Sequence, residues 1–186
     1  MVITIGRECG CDADEIGIIL GQRLHIPCYN RASMLELARE KGVYEKYPYF
    51  FSEVPAEELM NSLNESERKA PHKAMASLVE GMDCILVGRC GNYSLRDRTD
   101  MVSVYLTGNK EARVSNMAEK REMSTKKAKE IVEKTDSRRR EYQKYYTGEE
   151  WGNARNYNLC LDVTKLGVNG TIAVIESYLR QLGMID

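Results

Sequence analysis

The sequence predicts an α/β protein in which a parallel β-sheet is covered by helices on both faces. Two features predict it. Short apolar runs at Val2–Ile5 and Cys84–Val87, with further strand candidates at Met101–Leu106 and Tyr157–Leu161, have the character of strands buried on both sides. Between them the apolar period lengthens to that of amphipathic helices, and parallel neighbours need such crossover connections.

The elements follow in order. After the first strand, Ile16, Ile19, Leu20 and Leu24 stand at i, i+3, i+4 and i+8, one face of a helix. Helices are expected at about 31–41, 66–80, 109–121 and 124–146, with Asn109 and Ser124 as N-caps and Gly81 and Gly148 as stops. Val168, Ile172, Ile175, Leu179 and Leu182 repeat the helical rhythm at the end of the chain. Two stretches stand apart from a compact core. Residues 44–70 hold six acids against three bases, two prolines and an aromatic cluster of Tyr47, Tyr49, Phe50 and Phe51, and read as an excursion from the sheet. Residues 124–144 carry eight bases against four acids, and their thin apolar face of Ala128, Ile131, Val132 and Thr135 predicts a helix largely in water.

At 186 residues and 42% hydrophobic, the chain suits one sizeable core and a single domain. Its 27 Lys and Arg nearly balance 28 Asp and Glu, so no global field draws it to nucleic acid or to membranes, and neither is expected as a partner. The apolar run at the N-terminus is too short for a signal-peptide core, and no segment approaches the length of a membrane span, which predicts a cytoplasmic protein. The six cysteines are scattered, several within apolar strand-like runs, and are expected to be reduced core residues. Cys9 and Cys11 lack a second pair and a nearby histidine, so they make a poor metal set. His25 and His72 are isolated and read as structural, and Trp151 reads as a packing anchor for the turn leaving the basic helix.

The stretch "ITIGRECGCDADEIG", residues 3–17, is a strand, a loop and a helix start, an arrangement that offers unpaired N–H groups and a partial positive charge to an anion. Gly6 and Gly10 suit the turn, but counting from Gly6 puts Cys11 and Asp12 where a P-loop has glycine and lysine. Taken alone, the same residues read more simply as a plain connection in which Asp12 caps the helix and Asp14 and Glu15 complement its dipole. Three further segments carry arginines. Arg89 follows the strand Cys84–Val87, Arg113 lies in a helix that follows a strand, and Arg138, Arg139 and Arg140 lie with Asp136 on the basic helix. A guanidinium beyond a strand end can grip phosphate bidentately.

In the order "ITIGRECG", "IPCYNR", "CILVGRC", "VYLTGNKEARVSNMAEK" and "KTDSRRREYQKYYTGEEWGNARNYNLCLDVTKLG", the chain closely resembles the cytidylate kinase-like family, a branch of the P-loop nucleoside monophosphate kinases. The resemblance spans nearly the whole chain, weakest over 44–80 and most specific from Asp136 to Gly167. It implies a P-loop-type three-layer α/β/α fold with a five-stranded parallel sheet in one domain of residues 1–186. It also implies an acceptor-binding excursion at 44–80 and a lid at 124–148. The implied activity is transfer of the ATP γ-phosphoryl group, with Mg²⁺ carried through the phosphates, to CMP or a related acceptor. By position, Gly10, Cys11, Asp12, Ala13, Asp14 and Glu15 would face the donor phosphates, and Thr164 and Lys165 would lie near the donor base. Tyr29, Asn30 and Arg31, matching a family "YDR" run, would bind the acceptor with Arg89, while Arg113, Asp136 and Arg139 would serve catalysis.

The first loop departs from the family. Where "GSGGRE" is common, this chain has "GCDADE", so Cys11 replaces serine, Asp12 and Ala13 replace glycines and Asp14 replaces an arginine. One carboxylate at about 4 Å from a phosphate oxygen costs ~4 kcal/mol near a protein surface, or about three orders of magnitude in affinity. A Mg²⁺ ion bridging Asp12 or Asp14 to phosphate would offset this, as would cations from Arg7, Arg113 and Arg139. The alternatives are an inactive homologue that senses nucleotides or binds proteins, and a kinase for some other small acceptor. The kinase expectation requires Arg89, Arg113 and Arg139 to converge on one anion-sized pocket at the mouth of the first loop.

Overall fold

The computed structural model describes residues 1–52 and 64–186. Five parallel strands, β1 (Val2–Arg7), β2 (Cys28–Tyr29), β3 (Cys84–Val87), β4 (Met101–Thr107) and β5 (Leu159–Asp162), form one sheet in the order β2-β3-β1-β4-β5. The fifth strand that apolar patterning missed is β2. Two residues are too few to show a period, and Cys28 and Tyr29 are fixed by pairing with Ile85 and Leu86 of β3.

Alternation along the strands builds two cores. Val2, Cys84 and Leu86 point to one face, where Met34, Phe50, Phe51, Met75 and Tyr146 pack on them. Ile3, Ile5, Ile85 and Val87 point to the other, under Ile16, Leu20, Ile172 and Ile175. Both faces are therefore buried, which is why these strands read as continuous apolar runs. Phe50 and Phe51 are at most 1% exposed, with Tyr44 and Tyr47 packed against the same core, so these aromatic residues of the expected excursion are anchored in it, while Tyr49 is exposed. The rest of the expected 44–80 unit includes residues 53–63, which lie outside the described residues, and then helix Glu65–Leu78.

The helices are α1 (Ala13–Leu24), α2 (Arg31–Glu40), α3 (Pro48–Ser52), α4 (Glu65–Leu78), α5 (Gly91–Ser94), α6 (Lys110–Lys120), α7 (Thr125–Thr147) and α8 (Val163–Gln181). Asn109 caps α6 by accepting from the Ala112 amide, and Ser124 caps α7 by accepting from the Lys127 amide, as expected. Gly148 ends α7 at φ 73°, donating to the Lys144 carbonyl. The last helix begins earlier than its apolar rhythm. A capped turn from Val163 is joined to it across a kink at Gly167, whose backbone is non-helical.

Helix α7 is held more firmly than its composition suggests. Ala128 and Val132 pack with Cys9, Val114 and Met117 in a third cluster, and Tyr142 and Tyr146 enter the first core. The basic residues occupy the remaining faces. All six cysteines are free thiols. Cys160, expected in the core, is instead exposed, on edge strand β5. No described helix is long and apolar enough to cross a membrane.

Candidate functional site

Parallel strands deliver their following loops to one edge of the sheet, and there β1 runs into residues 8–12 while β3 runs into Gly88, Arg89 and Cys90. Two adjoining cavities open at this edge. The smaller, 290 Å³, is lined by the whole of Gly10, Cys11, Asp12, Ala13, Asp14 and Glu15, together with Asn116 and Lys120 of α6. The larger, 540 Å³, is floored by β1 and the turn after β3 and walled by α7. Arg7, Cys9, Asp14, Met117, Arg121 and Arg139 line both.

The two cavities differ in charge. Six arginines, Arg7, Arg31, Arg89, Arg121, Arg138 and Arg139, line the larger one, against the single carboxylate of Asp14. Among the described residues, Arg121, Arg138 and Arg139 make no ion pair. A chain of formal net charge −1 has thus gathered a strongly cationic cleft with low-dielectric walls, which concentrates anions. In the smaller cavity Arg7, Lys120, Arg121 and Arg139 face Glu8, Asp12, Asp14 and Glu15, so the charges balance.

The acidic loop is internally neutralised. Lys120 donates to Asp12 Oδ1 at 3.0 Å and to Glu15 Oε2 at 2.6 Å, and Asn116 donates to Asp12 Oδ2 at 2.8 Å and to the Gly10 carbonyl at 2.9 Å. Asp12 occupies the N-cap position of α1 but, contrary to expectation, accepts no helix amide with its side chain; its backbone is left-handed, at φ 51°. That conformation directs the carboxylate to α6. Aspartate tolerates it better than most residues but still carries a strain that glycine would not.

Arg113 is the main correction to the sequence expectation. It does not line either cavity. Its side chain is 6% exposed and lies beneath the first loop, with Nη1 donating to Asp136 Oδ2 and to the Cys9 carbonyl, both at 2.8 Å, and Nε 3.3 Å from Glu8 Oε2. Asp136 in turn accepts from the Cys9 amide at 2.7 Å. Arg113 and Asp136 therefore bolt α6 and α7 to the loop. Burial works against the Arg113 charge, but the Asp136 hydrogen bond and the field of Glu8 outweigh it and raise its pKa further. The Cys11 thiol beside them is pushed up to about 12 by burial.

Of the three arginines expected to converge, only Arg89 and Arg139 reach the cleft; Arg113 is withdrawn into its ion pairs, and Arg7, Arg31, Arg121 and Arg138 line the cleft in its stead. Arg89 is 5% exposed and donates to the Phe50 carbonyl, which also accepts from Tyr142. Arg89 and Cys90 both have positive φ, 57° and 50°, directly after Gly88 at 90°. Two non-glycine residues held there store strain of the kind found at functional sites. Gly88 has no Cβ to obstruct Arg7, whose guanidinium crosses its face, and Arg139 donates to the Arg7 carbonyl at 3.2 Å.

The remaining expected residues divide. Arg31 lines the larger cavity and donates to the Ser52 carbonyl. Tyr29 packs against the first core. Asn30 spends its side chain capping α2, accepting from Ala32 and Ser33. Thr164 and Lys165 lie outside both cavities, in the turn capped by Asp162, with the Thr164 hydroxyl accepting from the Asn109 amide. Residues that patterning passed over include Arg121, Asn116 and Lys120. Arg113, Asn116 and Lys120 at i, i+3 and i+7 share one face of α6, a spacing visible in the sequence. Trp151 is more than an anchor. It stacks edge-on against Tyr105 and lines the larger cavity.

A sequence profile of the cytidylate kinase-like family matches residues 2–165. The chain belongs to the cytidylate kinase-like family. Among solved structures, an uncharacterized protein from Eubacterium ventriosum ATCC 27560 is similar to this family member at TM-score 0.75 and 24% identity, over 97% of this chain and 98% of that one. A gluconokinase from Sinorhizobium meliloti 1021 aligns at TM-score 0.56 and 11% identity over 97% and 94% of the two chains. A shikimate kinase from Bacteroides thetaiotaomicron aligns at 0.53 and 10% over 97% and 98%. No curated protein matches the sequence. The five-stranded parallel sheet is thus the fold of P-loop kinases, and the family is kinase-like.

Proposed function

We propose that this chain is a phosphotransferase that moves the γ-phosphoryl group of ATP to CMP or a related nucleoside monophosphate. The observation that carries this reading is the cleft of six arginines around one carboxylate, open at the carboxyl edge of the sheet beside the first loop. In such a transfer an oxygen of the acceptor's phosphate attacks the γ-phosphorus. The bond to the β,γ-bridging oxygen breaks, and ADP leaves. No side-chain nucleophile is needed; positioning and charge neutralisation supply the catalysis.

Arg31 and Arg89, which line the cleft, would hold the acceptor phosphate, and Arg121, Arg138 and Arg139 would neutralise charge on the transferring group. Arg7, shared by both cavities, would face donor and acceptor together. Arg113 and Asp136 act as positioning residues, holding the loop to α6 and α7. For Mg²⁺ the donor set fits a minimal mode. No group of three or more metal-binding side chains exists among the described residues, Asp12 is engaged by Lys120 and Asn116, and Asp14 remains at the junction of the cavities. One carboxylate plus substrate phosphates is an ordinary way to hold this ion, which would neutralise the phosphates it bridges. Free thiols and ATP dependence suit the cytoplasm.

A second reading is favoured by one observation, the pairing of Asp12 and Glu15 with Lys120. A loop so satisfied suits a homologue that binds a nucleotide without transferring phosphate. Calorimetric titration with ATP and with CMP, each with and without Mg²⁺, together with an assay for ADP formation, tests both. Binding of both nucleotides with CMP-dependent ADP release is expected. Binding of CMP with no ADP formed would favour the second reading, and binding of neither would end the first.

A further inference from the structure

We infer that Gln143, together with Thr4, reads the base of the nucleotide held in the arginine-lined cleft; this rests on the cleft being the acceptor site. Gln143 is 5% exposed and Thr4 1%, and both line the larger cavity. Among the described residues, Gln143 Nε2 and Thr4 Oγ1 are buried without a hydrogen-bond partner. Buried polar atoms are rarely left so, and two of them on residues that line one cavity point to a ligand that completes them once the side chains turn toward it.

The chemistry of that ligand follows from what lines the wall. The guanidinium groups answer an anion; a carboxamide and a hydroxyl are uncharged and answer an uncharged polar edge. A carboxamide presents donor and acceptor side by side, matching the adjacent donor and acceptor on a base edge, as glutamine does when it reads a base bidentately. Gln143 follows Arg139 by one turn of α7, about 6 Å of rise, a gap that a ribose between phosphate and base can bridge. Tyr142, Trp151 and Tyr157 line the same cavity and offer aromatic surface to a flat ring. Rotating the amide exchanges its donor and acceptor, so one side chain serves a cytosine or a uracil edge. The preference it enforces is for a base over no base.

The test is calorimetric titration of the full chain with CMP, UMP and ribose 5-phosphate, the last having the phosphate and sugar without the base. Wild type is expected to bind CMP or UMP at least about tenfold tighter than ribose 5-phosphate, and Gln143→Met, which conserves volume, to erase that difference while leaving ribose 5-phosphate binding and the urea midpoint unchanged. Thr4→Val is the second variant and should narrow the same difference. Equal binding of all three ligands by wild type, or full discrimination retained in both variants, would overturn the inference and leave the acceptor cleft standing. Failure of wild type to bind any of the three would overturn the inference and the acceptor reading together.

Discussion

Replacing Asp136 with alanine should destabilise the fold rather than merely slow a reaction. Asp136 is 8% exposed and makes two buried contacts, accepting from the Cys9 amide at 2.7 Å and from Arg113 Nη1 at 2.8 Å. Removing one member of a buried ion pair costs about 3–5 kcal/mol, because the other charge is left uncompensated. Here the low end applies. Arg113 keeps Glu8 at 3.3 Å and the Cys9 carbonyl at 2.8 Å, so the expected loss is about 3 kcal/mol. For a chain of this size that corresponds to a fall in Tm of about 6–12 °C. Asp136→Asn, which can still accept from Cys9, should lose less, about 2 kcal/mol. Urea unfolding followed by circular dichroism measures both, and Arg113→Met with the double variant gives the coupling between the partners. If Asp136→Ala unfolded within about 0.5 kcal/mol of wild type, the pair would not be fastening the loop to α6 and α7, and Arg113 would have to be reassigned to ligand.

Three further outcomes follow from the same geometry. Asp12→Gly with Asp14→Arg should raise the affinity for ATP titrated without Mg²⁺ by about tenfold, less than the thousandfold for an unscreened carboxylate because Lys120 already neutralises Asp12 and Asp14 is exposed to water; titration showing no change would mean that the loop is not the donor site. Gly10→Ala should cost at least about 2 kcal/mol in urea unfolding, since φ is +88° and the new Cβ would lie 2.6 Å from the Arg113 carbonyl oxygen, a backbone atom that cannot swing aside. His72 supplies a pH dependence. Its Nε2–H donates to the Tyr146 carbonyl at 3.1 Å and its Nδ1 accepts from Ser94. Burial holds its pKa below 6.5; the Tyr146 carbonyl opposes that, Arg96 adds to it and Glu149 opposes it. The unfolded chain therefore binds more protons just below pH 6.5, so the His72 contribution to stability should fall as pH drops from 6.5 through the folded value and level off above pH 6.5. His72→Gln should flatten that segment of a plot of stability against pH, and an unchanged slope would assign it to other groups.

Much of the architecture was legible before any tertiary contact was known. The runs at Val2, Cys84 and Met101 and the helical spacing from Ile16 and Val168 are local patterns, and each became the expected strand or helix. The first-loop residues and Arg89 follow strands whose ends share one edge of the sheet, whereas Arg31 and Arg139 are read from the family resemblance; all of them line the two cavities. Arg113 does not. Its position in a helix after a strand looks the same whether the guanidinium turns outward to an anion or inward to a carboxylate, and only the approach of Asp136 from 23 residues away turned it inward. The short strand β2 and the burial of Phe50 and Phe51 depended likewise on partners distant in the chain.

The sequence by itself determined the layered fold, the family and the edge of the sheet at which chemistry could occur, since these rest on periodicity and on order along the chain. The tertiary structure alone decided which charges meet. It sent Lys120 and Asn116 to the acidic loop, spent Arg113 on Asp136, and left six arginines facing one carboxylate in the adjoining cleft. The reason is physical. A charge's effect depends on separation and on the medium between the groups, and neither is set by spacing along the chain.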